Sequence, residues 1–188
     1  KKIVSVEDTM NAVIENYNAE NYIEMETSLS IFKNKIEELK NELKIENTKE
    51  YINESNVAEN IMKSYINCKK GEYYYYRGML FLNAKNNILE GEECLEKADK
   101  YYELSIFEKN ENSEIVNQYL YNVRAYINQI LYKYNKNEDK QKAKENVKRA
   151  VRFSQKACEN YGNTRYSKDY QYSRCRRYQT SFKTSDWV

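Results

Sequence analysis

Hydrophobic residues recur every three or four positions along most of this chain, which is the spacing of one face of an α-helix. A first helix is predicted over residues 6–18, with Ser5 as its N-cap. A second helix is predicted from Tyr22 to about Leu43, on a stripe formed by Tyr22, Met25, Leu29, Phe32, Ile36 and Leu39. The break at residues 18–21 is short, so the two helices are expected to form an antiparallel hairpin.

A third helix is predicted to run without interruption from Asn53 or Ser55 to about Asn86. Its apolar stripe keeps its phase through Gly71, although a glycine inside a helix costs about 1 kcal/mol relative to alanine. A fourth helix begins at about Ile88, and its candidate inward residues are Leu95, Ala98, Tyr101, Tyr102, Ser105 and Phe107.

A fifth helix is predicted from Ser113, with an apolar stripe formed by Val116, Leu120, Val123, Ile127, Ile130, Leu131 and Tyr134. After a polar turn, the acidic residues Glu138 and Asp139 open a sixth helix, and Gly162 ends it. A Tyr- and Arg-rich seventh helix is predicted over residues 165–178, before a frayed tail at residues 180–188.

The predicted fold class is therefore all-α, with residues 1–188 as a single helical-repeat domain. Short connections make neighbouring helices antiparallel. We expect about seven helices in a solenoid-like stack. They comprise three antiparallel helical hairpins (about 6–43, 55–109 and 114–161) and a C-terminal capping helix at 165–178.

Four consecutive tyrosines, Tyr73 to Tyr76, lie in the middle of the third helix. Successive residues of a helix point about 100° apart, so the run places aromatic rings on every side. Tyr76 is in phase with the apolar stripe, and Tyr74 is a candidate for the aromatic position that packs between neighbouring hairpins. Tyr73 and Tyr75 are then predicted to face outward and, with Arg77, to be the partner-binding residues. Because tyrosine codons are A/T-rich, the sequence leaves open whether the tyrosine excess reflects function or genome composition.

The charge of the chain is uneven, although the net charge is only +2. Residues 137–188 hold 13 Lys and Arg against 6 Asp and Glu, a balance of +7. This bias is typical of a solvated face, or of a surface for an acidic partner, a nucleic-acid backbone or a lipid headgroup. The candidate basic patch consists of Lys148, Arg149, Arg152, Arg174, Arg176 and Arg177.

Catalytic and metal-binding motifs are missing from the sequence. It has no histidine, which removes Ser-His and Cys-His nucleophilic pairs, and its 4 glycines form no phosphate-binding loop. The 4 cysteines show no C-x-x-C spacing, so no metal site is predicted and their redox state stays open. We expect no enzymatic activity and no cofactor.

No run of about 18 apolar residues is present, so no transmembrane segment is predicted. The chain begins at Lys1 without an initiator methionine. We therefore expect a soluble protein and leave its compartment open, an exported or processed form included.

Several positions follow a known repeat pattern. Tyr74, Gly78 and Phe81 are similar to the aromatic, glycine and aromatic positions in the first helix of tetratricopeptide repeats. The small–large–small pattern of its second helix resembles Ala98, Tyr102 and Ser105, and again Ala143, Val147 and Ala150. The family resemblance implies stacked helical hairpins and assigns no binding residue, since Gly78 and Ala98 are further apart than in the family.

These observations lead to three functional hypotheses. The first is a non-enzymatic module that binds a protein or peptide partner, as an adaptor or scaffold, because tyrosine offers large contact area at little entropic cost. The second is a nucleic-acid-associated protein that uses its basic C-terminal helices. The third is a structural subunit of a larger assembly; the sequence decides neither the partner nor the oligomeric state.

Overall fold

The structure, a computed structural model, describes residues 2–46, 55–106 and 113–159. These ranges contain no strand and six α-helices: α1 (Lys2–Asn18), α2 (Tyr22–Glu46), α3 (Ser55–Asn83), α4 (Ile88–Leu104), α5 (Ser113–Asn135) and α6 (Lys140–Glu159). The prediction of an all-α fold is confirmed, with six helices rather than about seven. The predicted helix at 165–178 and the tail at 180–188 lie outside the described residues.

The chain divides into two compact units, Lys1–Ser105 and Ile106–Val188. In the first unit α1 packs against α2, α3 packs against α4, and α2 also packs against α3. In the second unit α5 packs against α6. The two helices of each predicted hairpin therefore pack against each other. The solenoid-like stack and the single domain stay predictions.

The helix boundaries agree with the sequence in the middle of the chain and differ at its start. α3 runs unbroken through Gly71, as predicted. α1 begins at Lys2, so Ser5 lies inside the helix and its predicted role as N-cap is wrong. No glycine or proline interrupts the residues before Ser5, so nothing stops the helix there. The Asp139 Oδ1 accepts a hydrogen bond from the Lys142 N–H at 2.9 Å and caps the start of α6.

The core of the first unit joins α1, α2 and α3. The predicted α2 stripe is buried from Met25 to Leu39, together with Val6 and Val13 of α1. Leu80 and Tyr73 of α3 complete this cluster. Tyr73 is only 6% exposed, so the prediction that it faces outward is wrong. α1, α2 and α4 all pack against α3, which leaves the helix little solvent-facing surface.

Glycines allow α3 and α4 to approach closely. A Cβ at Gly71 would lie 2.9 Å from the Tyr102 Cδ1, so the ring of Tyr102 occupies the space of a side chain. A Cβ at Gly78 would lie 3.0 Å from the Leu95 Cγ and 3.1 Å from the backbone oxygen of Gly91. Glycine occurs at these two positions of α3 because residues of α4 occupy the space that a side chain would need.

The hairpin of α5 and α6 buries polar side chains beside apolar ones. Leu120, Ile127 and Leu131 are buried as predicted, but Val116 of the predicted stripe is 49% exposed. A second stripe of α5 is also buried, and it contains Asn117, Tyr121, Arg124, Asn128, Leu131 and Asn135. The Arg124 Cζ lies 3.9 Å from the ring centroid of Phe153 on α6, so an aromatic face covers its charge.

Candidate functional site

Cations and aromatic rings alternate along one side of α3 and continue onto the helices beside it. We call this surface the cation–aromatic face. On α3, positions 70, 74, 77 and 81 share one side because they are three or four residues apart. Its residues are Lys33 of α2; Lys70, Tyr73, Tyr74, Arg77 and Phe81 of α3; Lys85, just after the end of α3; and Lys97 and Tyr101 of α4.

Arg77 is the centre of this face. Its Cζ lies 6.0 Å from the ring centroid of Tyr73 and 5.6 Å from that of Phe81. The Nζ of Lys33 lies 5.9 Å from the Tyr73 centroid, and the Nζ of Lys85 lies 5.3 Å from the Phe81 centroid. Each distance is within the range of cation–π attraction. Two rings therefore lie beside three cations.

A stacked pair of tyrosines forms the other part of the face. The rings of Tyr74 and Tyr101 are 5.5 Å apart and nearly parallel, with an interplanar angle of 4°. The Nζ of Lys70 lies 5.8 Å from the Tyr101 centroid, and that of Lys97 lies 5.8 Å from the Tyr74 centroid. Burial and the neighbouring Tyr101 raise the pKa of Tyr74, so its hydroxyl stays protonated at neutral pH.

Carboxylates neutralise the lysines at the margins of the face. Lys70 pairs with Glu37 at 3.1 Å, Lys85 with Glu26 at 2.7 Å and Lys97 with Glu93 at 2.8 Å. Within the described residues, no carboxylate lies at ion-pair distance from Lys33 or Arg77. The positive charge is therefore concentrated at the centre.

The guanidinium of Arg77 is oriented by a hydrogen bond. Its Nη1 donates to the Tyr73 hydroxyl oxygen at 2.8 Å. Burial lowers the pKa of Arg77, but this hydrogen bond and the neighbouring tyrosine outweigh burial, so the pKa is raised above its ordinary value. Arg77 is thus a permanent cation, half-buried and held in one direction.

The structure brings together only part of the predicted site. Tyr73 and Arg77 are in contact through the Tyr73 hydroxyl, but the Tyr73 side chain is buried in the core. Tyr75 is half-buried, and its ring packs edge-on against Tyr76 at 5.1 Å. Two residues apart on a helix means about 200° of rotation, so Tyr75 and Arg77 point to nearly opposite sides. Lys33 and Tyr101, which come from α2 and α4, were not among the predicted site residues.

A buried ionic cluster links α1 to α3 on a different side of α3. The Nζ of Lys69 lies 2.8 Å from the Glu7 Oε1 and 3.0 Å from the Glu72 Oε2. The Tyr65 hydroxyl donates to the same Glu7 oxygen at 2.8 Å. Burial raises the pKa of Glu7, but the hydrogen bonds and charge of its partners outweigh burial and lower it. This cluster anchors the first helix.

Cys68 lies beside this cluster. Burial, reinforced by the charge of Glu72, raises the pKa of the Cys68 thiol to about 12. The thiolate is the nucleophilic form, so this cysteine is unreactive at neutral pH. Cys68 and Cys94 are both free thiols.

The candidate basic patch is only partly described. Lys148, Arg149 and Arg152 are exposed on α6, within about 100° of its circumference. Lys148 pairs with Glu145 at 3.2 Å. Arg174, Arg176 and Arg177 lie outside the described residues.

Comparison with known proteins leaves the family open. No family model matches the chain, no curated protein matches it and no solved structure matches it. The resemblance to tetratricopeptide repeats therefore stays a prediction from the sequence pattern. In the described parts of the chain, no helix combines the length and the apolar character needed to cross a bilayer.

The hairpin of α5 and α6 buries one amide on each helix. Asn128 is 1% exposed and Asn146 is 4% exposed. The Asn128 Oδ1 and the Asn146 Nδ2 have no hydrogen-bond partner. The rings of Tyr121 and Phe153 are 6.2 Å apart, and each amide lies one heptad from one of these rings, toward the turn. The two residues therefore lie at the same level of the hairpin, and we expect a buried water to bridge the unpaired acceptor and donor.

We expect Asn128→Leu to destabilise the protein by about 1–3 kcal/mol, because it leaves the Asn146 donor buried without its bridge. The double variant Asn128→Leu/Asn146→Leu should lose less than the sum of the two single variants. Urea unfolding of the four proteins measures this coupling. If no bridge forms in solution, each leucine removes an orphaned polar group and stabilises the protein instead.

Proposed function

We propose that this protein is a non-enzymatic, tetratricopeptide-like module that binds a protein partner through the cation–aromatic face, as an adaptor or scaffold. The observation that carries the proposal is the central pair of cations, Lys33 and Arg77. Both lie within 6.0 Å of the Tyr73 ring centroid, and neither is paired with a carboxylate of the described residues.

The composition of the face supports binding. Arginine and tyrosine are over-represented among the residues that dominate the energy of protein interfaces. Binding normally costs entropy because mobile side chains must be ordered. Arg77 is already oriented by Tyr73, and Tyr74 is stacked on Tyr101 at 5.5 Å. These side chains therefore lose less conformational entropy when a partner binds.

The exposed cations on α6 support a second candidate, binding of nucleic acid by Lys148, Arg149 and Arg152. Phosphate contacts by such residues make binding strongly dependent on salt. The two candidates use different units of the chain, so single substitutions distinguish them.

Arg77→Gln is expected to weaken binding of the physiological partner about tenfold or more, because it removes a pre-oriented charge from the centre of the interface. The partner is first isolated by affinity capture from the native organism, and its dissociation constant is then measured with the purified proteins. Arg149→Gln removes the same charge from α6 and is the matched control, with unchanged affinity expected.

The outcome decides between the candidates only if both variants are folded, which circular dichroism checks. Equal affinity of wild type and Arg77→Gln contradicts a site at the cation–aromatic face. Loss of binding in Arg149→Gln alone, with a steep salt dependence, assigns the function to α6. Recovery of no partner, together with a mass that grows with concentration, points to a subunit of an assembly.

A further inference from the structure

We propose that the cation–aromatic face takes a short acidic peptide segment, in which one carboxylate binds between Lys33 and Arg77 and an apolar side chain two residues away packs on Phe81. This inference rests on the proposed function, because it specifies the chemistry of the partner at that face. Three features of the described residues lead to it: the free donors at the centre, the carboxylates at the margins, and the position of the Phe81 ring.

The central donors fit a carboxylate. The Lys33 Nζ and the Arg77 Cζ each lie within 6.0 Å of the Tyr73 ring centroid, so both cations border the same ring. A guanidinium has five N–H donors in one plane, and Arg77 uses its Nη1 for the Tyr73 hydroxyl. Its other N–H groups and the Lys33 ammonium remain as donors for the two oxygens of an Asp or Glu side chain. Such charge-assisted hydrogen bonds are among the strongest in proteins.

The margins of the face favour a single carboxylate over a chain of phosphates. Glu37, Glu26 and Glu93 surround the centre, and each of their side chains is at least 43% exposed. A nucleic-acid strand carries a charge at every nucleotide and would bring phosphates close to these carboxylates. A peptide with one acidic residue presents negative charge only where the protein presents unpaired positive charge.

The aromatic part of the face adds a requirement for an apolar residue. The Phe81 ring centroid lies 5.6 Å from the Arg77 Cζ. In an extended peptide, side chains two residues apart point the same way and are separated by about 7 Å. A carboxylate at Arg77 therefore places the side chain two positions away over Phe81. The expected ligand pattern is Asp or Glu, any residue, then a large apolar residue, in either chain direction.

The full chain is tested against an immobilised random library of short peptides. We expect the bound peptides to be enriched in an acidic residue two positions from a large apolar residue. For the best binder, replacing its acid by the neutral amide should raise the dissociation constant about tenfold or more. The variants Arg77→Gln and Lys33→Gln should weaken the acidic peptide by a similar factor and leave the amide peptide almost unchanged.

The outcomes separate this inference from the proposed function. Peptides that bind at Arg77 with no preference for an acid overturn the acidic-ligand inference and leave a partner-binding face in place. A library in which no peptide binds, with affinity of the captured partner equal in wild type and Arg77→Gln, overturns both. If a single-stranded oligonucleotide binds wild type and does not bind Arg77→Gln, the ligand of this face is a nucleic acid and the proposal of a peptide ligand is overturned. Lys136→Gln, which removes one positive charge at an exposed position outside both candidate surfaces, serves as the charge-matched control.

Discussion

Replacing Lys69 by methionine is expected to lower the free energy of unfolding by about 3 kcal/mol. The substitution leaves the buried Glu72 carboxylate without the ammonium that lies 3.0 Å away, in a site where the lysine side chain was 9% exposed. Removal of one partner from a buried ion pair typically costs about 3–5 kcal/mol. We expect the lower end of that range because Glu7, the second partner, has a side chain 40% exposed and stays hydrated.

The double variant Lys69→Met/Glu72→Leu is the diagnostic comparison. It removes both buried charges, so we expect most of the lost stability to return. Lys35→Met is the matched control, because it breaks an exposed ion pair with Glu38 at 2.7 Å and should cost less than about 1 kcal/mol. Urea unfolding monitored by circular dichroism measures all of these. A double variant as unstable as Lys69→Met would show that Lys69 acts by packing rather than by charge.

The second large effect is expected for Gly78→Val, which should destabilise the protein by about 2–3 kcal/mol. Its Cβ meets the Leu95 Cγ at 3.0 Å and the Gly91 oxygen at 3.1 Å, and the two γ-methyl groups add further overlap. A backbone oxygen of a packed helix cannot move aside as a flexible side chain can, so α3 and α4 must separate. Overpacking of this kind typically costs about 1–3 kcal/mol.

The control for Gly78→Val is Lys100→Val, a β-branched residue at an exposed position of α4. It tests helix propensity without a clash, and its cost should stay below about 1 kcal/mol. Gly78→Ala should lie between wild type and Gly78→Val in thermal unfolding. A valine variant as stable as wild type would mean that the helices are further apart in solution than in the structure.

The sequence was most informative where a helix has one buried face. The stripe of α2 from Met25 to Leu39 was predicted, and it is buried, because a helix with one apolar side has one favourable orientation. The predicted orientation of Tyr73 was wrong because α1, α2 and α4 all pack against α3. When a helix is covered on several sides, the phase of a single stripe no longer identifies the side that faces solvent.

Polar residues in α5 show a second limit of hydrophobic periodicity. Asn128 donates from its Nδ2 to the Arg124 oxygen at 2.9 Å, and Asn135 donates to the Leu131 oxygen at 2.8 Å. An amide that bonds to its own helix loses less on burial than hydropathy implies. These asparagines could therefore be buried although the apolar stripe predicted for the helix did not include them.

The candidate site was predictable only in its α3 component. Arg77 was identified from its place beside the tyrosine run, and it is the centre of the cation–aromatic face. Lys33 and Tyr101 belong to helices that are distant in sequence from Arg77, and their convergence depends on packing of α2 and α4 against α3. Spacing within one helix carries no information about that convergence.

The close contact of α3 and α4 also bears on how the coding sequence can change. Three of the 4 glycines in the chain, Gly71, Gly78 and Gly91, lie at this one contact. Every glycine codon begins with two guanines, whereas the abundant Lys, Asn, Ile and Tyr residues use A/T-rich codons. Nucleotide drift toward A and T at these codons would replace the glycines, and each replacement would introduce a side chain into occupied space. The helix contact therefore opposes that drift at three positions of the gene.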